Sequence, residues 1–256
     1  MIQRRTAVAL LASPLLLTGC GGGAGATERR TPARRPAPAP TPGTSTEPAS
    51  RATSETSAES APRGIPGLGS ERLAAIPERC GQAVVVTGRG RNSPLCTVVL
   101  HERTPTGWQA GAAWPAHNAL HGWSAHHLNG DLRSPLGVYT LSDAGGLLPD
   151  PGSRFPYHRS RGFHSPGTGF EGEPLEGSFD YVIAIDYNRR PGTSPLDWTR
   201  PLGPARGGGV WLHVDHGGPT HGCVSVAKAH MKDLLRTLDP GRQPVVVMGY
   251  ADWLAR

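Results

Sequence analysis

Read for hydrophobic periodicity, the 256-residue chain changes character near residue 80. Short apolar runs rich in β-branched residues begin there with Ala83-Val84-Val85-Val86-Thr87 and Thr97-Val98-Val99-Leu100. They continue at 137–141 (GVYTL), 181–185 (YVIAI), 210–214 (VWLHV) and 244–248 (PVVVM). Runs this short, bounded by Gly, Pro or Asp, predict strands. One stretch has the helical period instead. Met231, Leu234, Leu235 and Leu238 recur at i, i+3, i+4 and i+7, which predicts a core-packed helix with Ser225 as N-cap and Asp239-Pro240-Gly241 as its stop. The expectation over residues 77–256 is therefore a mainly-β domain with one or two helices. No internal repeat of 20 to 50 residues is apparent.

The front of the chain follows different rules. From Gly21 to Ile76 the only large aliphatics are Ile65, Leu68, Leu73 and Ile76, set among Pro, Ala, Thr, Ser, Arg and Glu. Such a segment buries too little surface to offset its ordering entropy, so residues 21–76 are expected to be a disordered linker, semi-rigid where Pro and Ala alternate. Before it, Arg4-Arg5 and the apolar stretch Ala7 to Leu17 form the n- and h-regions of an export signal. Leu17-Thr18-Gly19-Cys20 resembles a bacterial lipobox, which implies a signal peptide over residues 1–20 and a lipidated Cys20 as the mature N-terminus. The arginine pair leaves Sec and twin-arginine export both open. No apolar run reaches 18 residues, so an ordinary transmembrane helix is not predicted.

Composition sharpens this division. All the aromatics (6 Trp, 5 Tyr, 4 Phe) lie at or after Trp108, so the bulky core material belongs to the back of the chain. The formal charge of +6 divides evenly. Residues 77–256 carry 17 Lys+Arg against 15 Asp+Glu with the signs interspersed, leaving no basic stripe for nucleic acid. Cys80 and Cys96 flank the first strand candidate. A hairpin turning at Gly88 to Pro94 is expected to bring them together, and a disulfide there closes a loop of about 15 residues worth roughly 3 kcal/mol. Cys223 is then left unpaired.

The chemistry concentrates between Trp211 and Ser225. Read as strand, glycine-rich turn, nucleophile and helix start, this segment places Cys223 two residues before a helix N-cap, where the helix dipole favours thiolate. His213 folds back over Gly217-Gly218-Pro219 as its base. Gly222 permits close approach of substrate, and the Gly222 and Cys223 N–H groups can face an oxyanion. His216 and His221 read as loop residues near the site, and His121, His126 and His127 as members of a solvated loop beside Trp123. His213, His216, His221 and Cys223 within eleven residues also offer a zinc set, but the spacing matches no helical or paired-cysteine zinc pattern.

Thr220-His221-Gly222-Cys223 resembles the Ser/Thr-x-Gly-Cys signature of the L,D-transpeptidase (YkuD-type) catalytic domain, and His213 matches that family's upstream histidine. The segments from Gly130-Asp131 to Ser134-Pro135-Leu136-Gly137 and from Tyr181 to Asn188 are similar to further family segments, so the likeness covers about residues 80 to 250. Two departures stand out. The interval from His213 to Cys223 is short, and Ser225 stands where an Arg or Asn is often found. The resemblance implies a β-sandwich or barrel and no cofactor. It implies Cys223 as nucleophile and His213 as general base oriented by a backbone carbonyl, with Thr220, His221, Gly222 and Ser225 at the site and Asp131 in its scaffold. The implied substrates are peptidoglycan stem peptides, cleaved through a thioester and then cross-linked or trimmed. The implied inhibitors are carbapenems. With Cys20 lipidated, the location is the outer face of the cytoplasmic membrane. Two rivals are a zinc-dependent cell-wall hydrolase and a non-catalytic peptidoglycan-binding lipoprotein. Papain-like and amidase sites place the Cys before its His, the reverse of the order here.

Overall fold

A computed structural model describes residues 64–256. The signal peptide, Cys20 and the linker as far as residue 63 lie outside the described residues. Strands β1 (Gln82–Gly88) and β2 (Leu95–Thr104) form the predicted hairpin, and β3 (Gly107–His117) extends it antiparallel. The short β4 (Trp123–Ser124) and β5 (Ser134–Pro135) pair with each other. Next come β6 (Gly137–Gly146), β7 (Tyr157–Arg159), β8 (Val182–Ile185), β9 (Trp211–Val214), β10 (Val224–Val226) and β11 (Val245–Tyr250). The helices are α1 (Ser70–Ala75), α2 (Lys228–Thr237) and α3 (Ala251–Leu254).

The sheet closes on itself. Its order runs β11-β1-β2-β3-β10-β9-β8-β6, β6 pairs back to β11, and β7 hangs outside β6. The fold is thus the expected mainly-β, barrel-like architecture, with β1–β11 and β9–β10 as parallel pairs within an otherwise antiparallel ring. Closure removes the free edges that an open sheet would expose.

Burial explains why some strands read as unbroken apolar runs. In β1, Val84 and Val86 join the larger core cluster while Ala83 and Val85 join a second one, and β11 divides Val246 and Met248 from Val245 and Val247 in the same way. A strand buried on both faces has no polar alternation to show. The larger cluster also takes Met231, Leu234 and Leu235 of α2 and the buried Leu238 that follows it. The second is covered by Ile65, Leu68, Leu73 and Ile76 together with Trp253 and Leu254. Those four aliphatics are the ones that composition assigned to the linker, so the folded unit begins before residue 77. Gly69 is pinned there by a backbone bond to Leu254 O at 2.8 Å.

Two further expectations are corrected. The helix starts at Lys228 with Ala227 at the N-cap, while Ser225 lies inside β10. Pairing with β9 on one side and β3 on the other captures Val224-Ser225-Val226 as strand, and the Ser225 hydroxyl donates to Asp215 Oδ1 at 2.6 Å. The Cys80–Cys96 disulfide is not formed, and both thiols are free and buried. In the antiparallel register Cys96 lies opposite Gly88 beside the turn, whereas Cys80 precedes Gln82, whose partner is Glu102 at the open end. Six strand steps separate those ends by about 20 Å, far beyond the ~7 Å that a disulfide spans.

Candidate active site

The parallel register pairs Val224 with Leu212 and Ser225 with His213, so Cys223 arrives just before β10 alongside Trp211. Three contacts fix the loop that carries it. Thr220 Oγ1 donates to the Cys223 carbonyl at 2.7 Å, the Ser134 hydroxyl donates to the same oxygen at 3.4 Å, and Thr220 N–H donates to Asn118 O at 3.0 Å. At the sulfur, Trp211 N–H donates to Sγ at 3.4 Å and the thiol points to Gly209 O at 3.6 Å. Gly207, Gly208 and Gly209 all have positive φ (64°, 143° and 69°), the backbone conformation that brings Gly209 O close to the Cys223 thiol. Neither the Gly222 nor the Cys223 N–H donates to a backbone carbonyl among the described residues, which leaves both free to face an oxyanion.

His213 is 2 % exposed in β9. Its Nδ1 lies 2.9 Å from Val214 O. A carbonyl only accepts, so Nδ1 carries the proton and the lone pair is on Nε2. The ring is held edge-to-face by Phe179 at 5.2 Å and is stacked on His216 at 5.8 Å; Glu173 Oε1 fixes His216 Nδ1 at 3.1 Å. Phe179 also packs edge-to-face on Trp211 at 5.0 Å. His213 and Cys223 line one cleft of about 440 Å³, with Phe179, Trp198, Arg200 and Trp211 among its walls.

Burial sets the charge state of this pair. Desolvation lowers the His213 pKa from 6.5 to about 4, against an opposing contribution from its bond to Val214. Desolvation likewise pushes the Cys223 thiol up from 9.0 to about 11, with the Trp211 N–H opposing. The resting pair is therefore neutral thiol and neutral imidazole. This reverses the expectation of a dipole-stabilised thiolate, because the helix that was to provide the dipole begins only at Lys228. A buried neutral imidazole with a free Nε2 has the chemistry to accept a proton from a neutral thiol.

The remaining predicted residues separate by location. Thr220 is buried and lines the cleft rim, while exposed His221 stands at the mouth with its ring 4.6 Å from that of Phe170. Gly222 is buried and lines a smaller cavity of about 200 Å³ that also reaches Cys223 from the side of His127. Asp131 organises the preceding turn, accepting from Leu128 N and Arg133 N at 2.9 Å each, with His127 Nδ1 at 2.9 Å. Ser225 faces away, into a cluster with Asp215 and His117, whose Nδ1 lies 2.8 Å from Asp215. Among the described residues no three His, Cys, Asp or Glu side chains converge as metal ligands. His213 and His216 stack rather than converge, and each has its Nδ1 engaged elsewhere. Phe179, Trp211, Trp198 and Arg200 escaped the sequence reading. Only Trp211 carried a local signal, two residues before His213 on the same strand face.

A sequence model of the YkuD domain, the L,D-transpeptidase catalytic domain, matches residues 78–247, a span that includes both Cys223 and His213. The chain belongs to the L,D-transpeptidase catalytic-domain family. Members of this family are cysteine acyltransferases. No curated protein matches the chain. Among solved structures it is similar to Bd1075 of Bdellovibrio bacteriovorus, with 16% identity and a TM-score of 0.38, covering 72% of this chain and 52% of that one. It is also similar to the helical cell shape determining protein Pgp2 of Campylobacter jejuni, with 14% identity and a TM-score of 0.37, covering 65% of this chain and 46% of that one. The chain thus spans about half the length of each.

Proposed function

We propose that this chain is a peptidoglycan L,D-transpeptidase acting through a Cys223 thioester. The observation that carries the reading is the pairing, in one cleft, of the Cys223 thiol with an imidazole whose Nδ1 is committed to Val214 O and whose Nε2 is free. The substrate is a tetrapeptide stem. As Sγ bonds to the carbonyl carbon of its third residue, the thiol proton passes to His213 Nε2, and the oxyanion faces the Gly222 and Cys223 N–H groups. Collapse breaks the C–N bond, the imidazolium returns its proton to the departing amine, and D-Ala leaves. An amine of a neighbouring stem then attacks the thioester, gives its proton to His213 and releases the thiol with a 3→3 link formed. Water in place of the amine yields a carboxypeptidase. The inhibitors that fit this chemistry are carbapenems, which acylate the same sulfur. We further propose that Cys20 is lipidated and holds the domain at the outer face of the cytoplasmic membrane. Support for that is the lipobox-like sequence.

The test is incubation of the protein with tetrapeptide stems and an acceptor stem, following D-Ala release and cross-linked product by mass spectrometry. Turnover by wild type that is lost in both Cys223→Ala and His213→Gln is expected. Turnover surviving in Cys223→Ala, or none in wild type, overturns the proposal.

A further inference from the structure

The cleft that holds Cys223 needs a means of gripping an anionic donor, and residue 225 cannot supply it: Ser225 is buried and turned to Asp215. One permanent cation does line the cleft. Arg200 comes from the segment between β8 and β9, and among the described residues no other Lys or Arg stands in those walls. Its Nη1 donates to the carbonyl oxygens of Asp197 and Thr199 at 3.0 and 3.1 Å, which fixes the head group without neutralising it. No carboxylate lies within ion-pair distance of it among the described residues. The nearby acids are engaged elsewhere, the Asp197 carboxylate by Thr199 N–H at 2.7 Å and Glu173 by His216. The guanidinium sits over the Trp198 ring at 4.9 Å, and that indole is 80 % exposed at the cleft lip. Among the described residues one edge has no protein acceptor, the edge carrying Nε and Nη2.

Arg200 packs against the glycine backbone that supports Cys223. A Cβ at Gly208 would fall on Arg200 Nε, so only the bare backbone found there admits the side chain. A Cβ at Gly209 would stand 3.4 Å from Nη2, and Gly209 O is the atom 3.6 Å from Cys223 Sγ. One glycine therefore separates the guanidinium from the Cys223 sulfur. An Nε/Nη2 edge matches the two oxygens of a carboxylate in a bidentate pair.

We propose that Arg200 is the carboxylate-recognition residue of this site, binding the free C-terminal carboxylate of the acyl donor, the one on the residue that leaves. The assignment rests on the donor reading above. It makes Arg200 a positioning residue: it places the scissile carbonyl over Cys223 and takes no part in bond making.

Binding to the Cys223→Ala protein isolates this role from turnover. The ligands are a tetrapeptide stem, the same stem amidated only at its C-terminus, and the same stem amidated only at the side-chain carboxylate of its third residue. Calorimetry on the full chain is expected to show the C-terminal amide binding about ten- to a hundredfold more weakly than the parent stem, the range for one charge-assisted pair. In Cys223→Ala/Arg200→Met that preference disappears, with both ligands at the amide level, and Arg200→Lys falls between. An unchanged melting temperature in Arg200→Lys guards against a merely structural loss. Equal weakening of parent and C-terminal amide by Arg200→Met overturns the assignment, as does a preference that follows the third-residue carboxylate. Failure of wild type to release D-Ala would strike the proposed function, whereas a carboxylate preference that survives Arg200→Met strikes this assignment alone.

Discussion

Acidification is the perturbation that best exposes the buried state of His213. In the unfolded chain its imidazole titrates near 6.5; in the fold burial depresses it to about 4. As the pH falls, the unfolded chain takes up this proton before the native protein does. The residue therefore contributes stability that is fully present above pH 6.5 and is lost as the pH falls toward 4. At about 1.36 kcal/mol per pH unit over that window, the loss between pH 7 and pH 4.5 is about 2 to 3 kcal/mol. That is a large share of the 5–15 kcal/mol that ordinarily holds a domain together. Two neighbours titrate as well. The Asp215 bond raises the His117 pKa, so its contribution is present below 6.5 and is lost as pH rises through that raised value. The bonds from His117 and Ser225 hold Asp215 low against its desolvation, so its contribution is lost only as the pH falls below 3.8. Both are shared by a His213→Gln variant and cancel in a comparison. Urea unfolding of wild type and His213→Gln at pH 7 and pH 4.5 is the assay. Wild type is expected to lose about 2 to 3 kcal/mol more than the variant across that interval. Parallel profiles for the two proteins would refute the buried neutral base.

Three further outcomes follow from the same structure. A thiol pushed up to about 11 has roughly a hundredth of the thiolate of an ordinary one at pH 7.5, so the 240 nm absorbance that distinguishes wild type from Cys223→Ala should rise only above pH 10; a rise below pH 8 contradicts the neutral pair. Arg189 is buried between Asp143, at 3.0 Å, and Asp186, so Arg189→Met strands two carboxylates and should cost about 3 to 5 kcal/mol in chemical denaturation; a loss under 1 kcal/mol is inconsistent with that network. Maleimide labelling in denaturant without reductant should modify both Cys80 and Cys96, and recovery of a peptide linking them would contradict the register of the first hairpin.

Much of this arrangement is legible in the chain because local pattern and tertiary role agree. The runs at 83–87, 97–100, 137–141, 181–185, 210–214 and 244–248 each fall on a strand of the barrel, and the Met231-to-Leu238 stripe does face the core. Where they disagree, the reading slips for identifiable reasons. Val224-Ser225-Val226 is too short to show a period, and a serine before a helical stripe looks like a cap; β3 and β9 decide the matter, with Ser225 paired to His117 and His213, 108 and 12 residues away in sequence. The strand β3 is missed because Ala, Gly and Pro fill most of Gly107–His117 and most of its side chains are exposed or half-buried. Cys80 and Cys96 look paired because a hairpin lies between them, but Cys80 precedes its first strand at the open end while Cys96 sits beside its turn. Cys223 and His213 are legible as neighbours because they lie ten residues apart on adjoining elements, and the structure places both in one cleft. Phe179, Trp198 and Arg200 belong to the irregular stretches on either side of β8, and only the closed barrel brings those stretches over Cys223.

Whether Cys223 forms an acyl-enzyme is tested most directly by the intact mass of the full-length protein after exposure to a carbapenem, with peptide mapping of the adduct and Cys223→Ala as control. The structure-based expectation is one added inhibitor mass per chain, mapped to Cys223 and absent from the variant. An unmodified wild type, or an adduct that persists in Cys223→Ala, would contradict it.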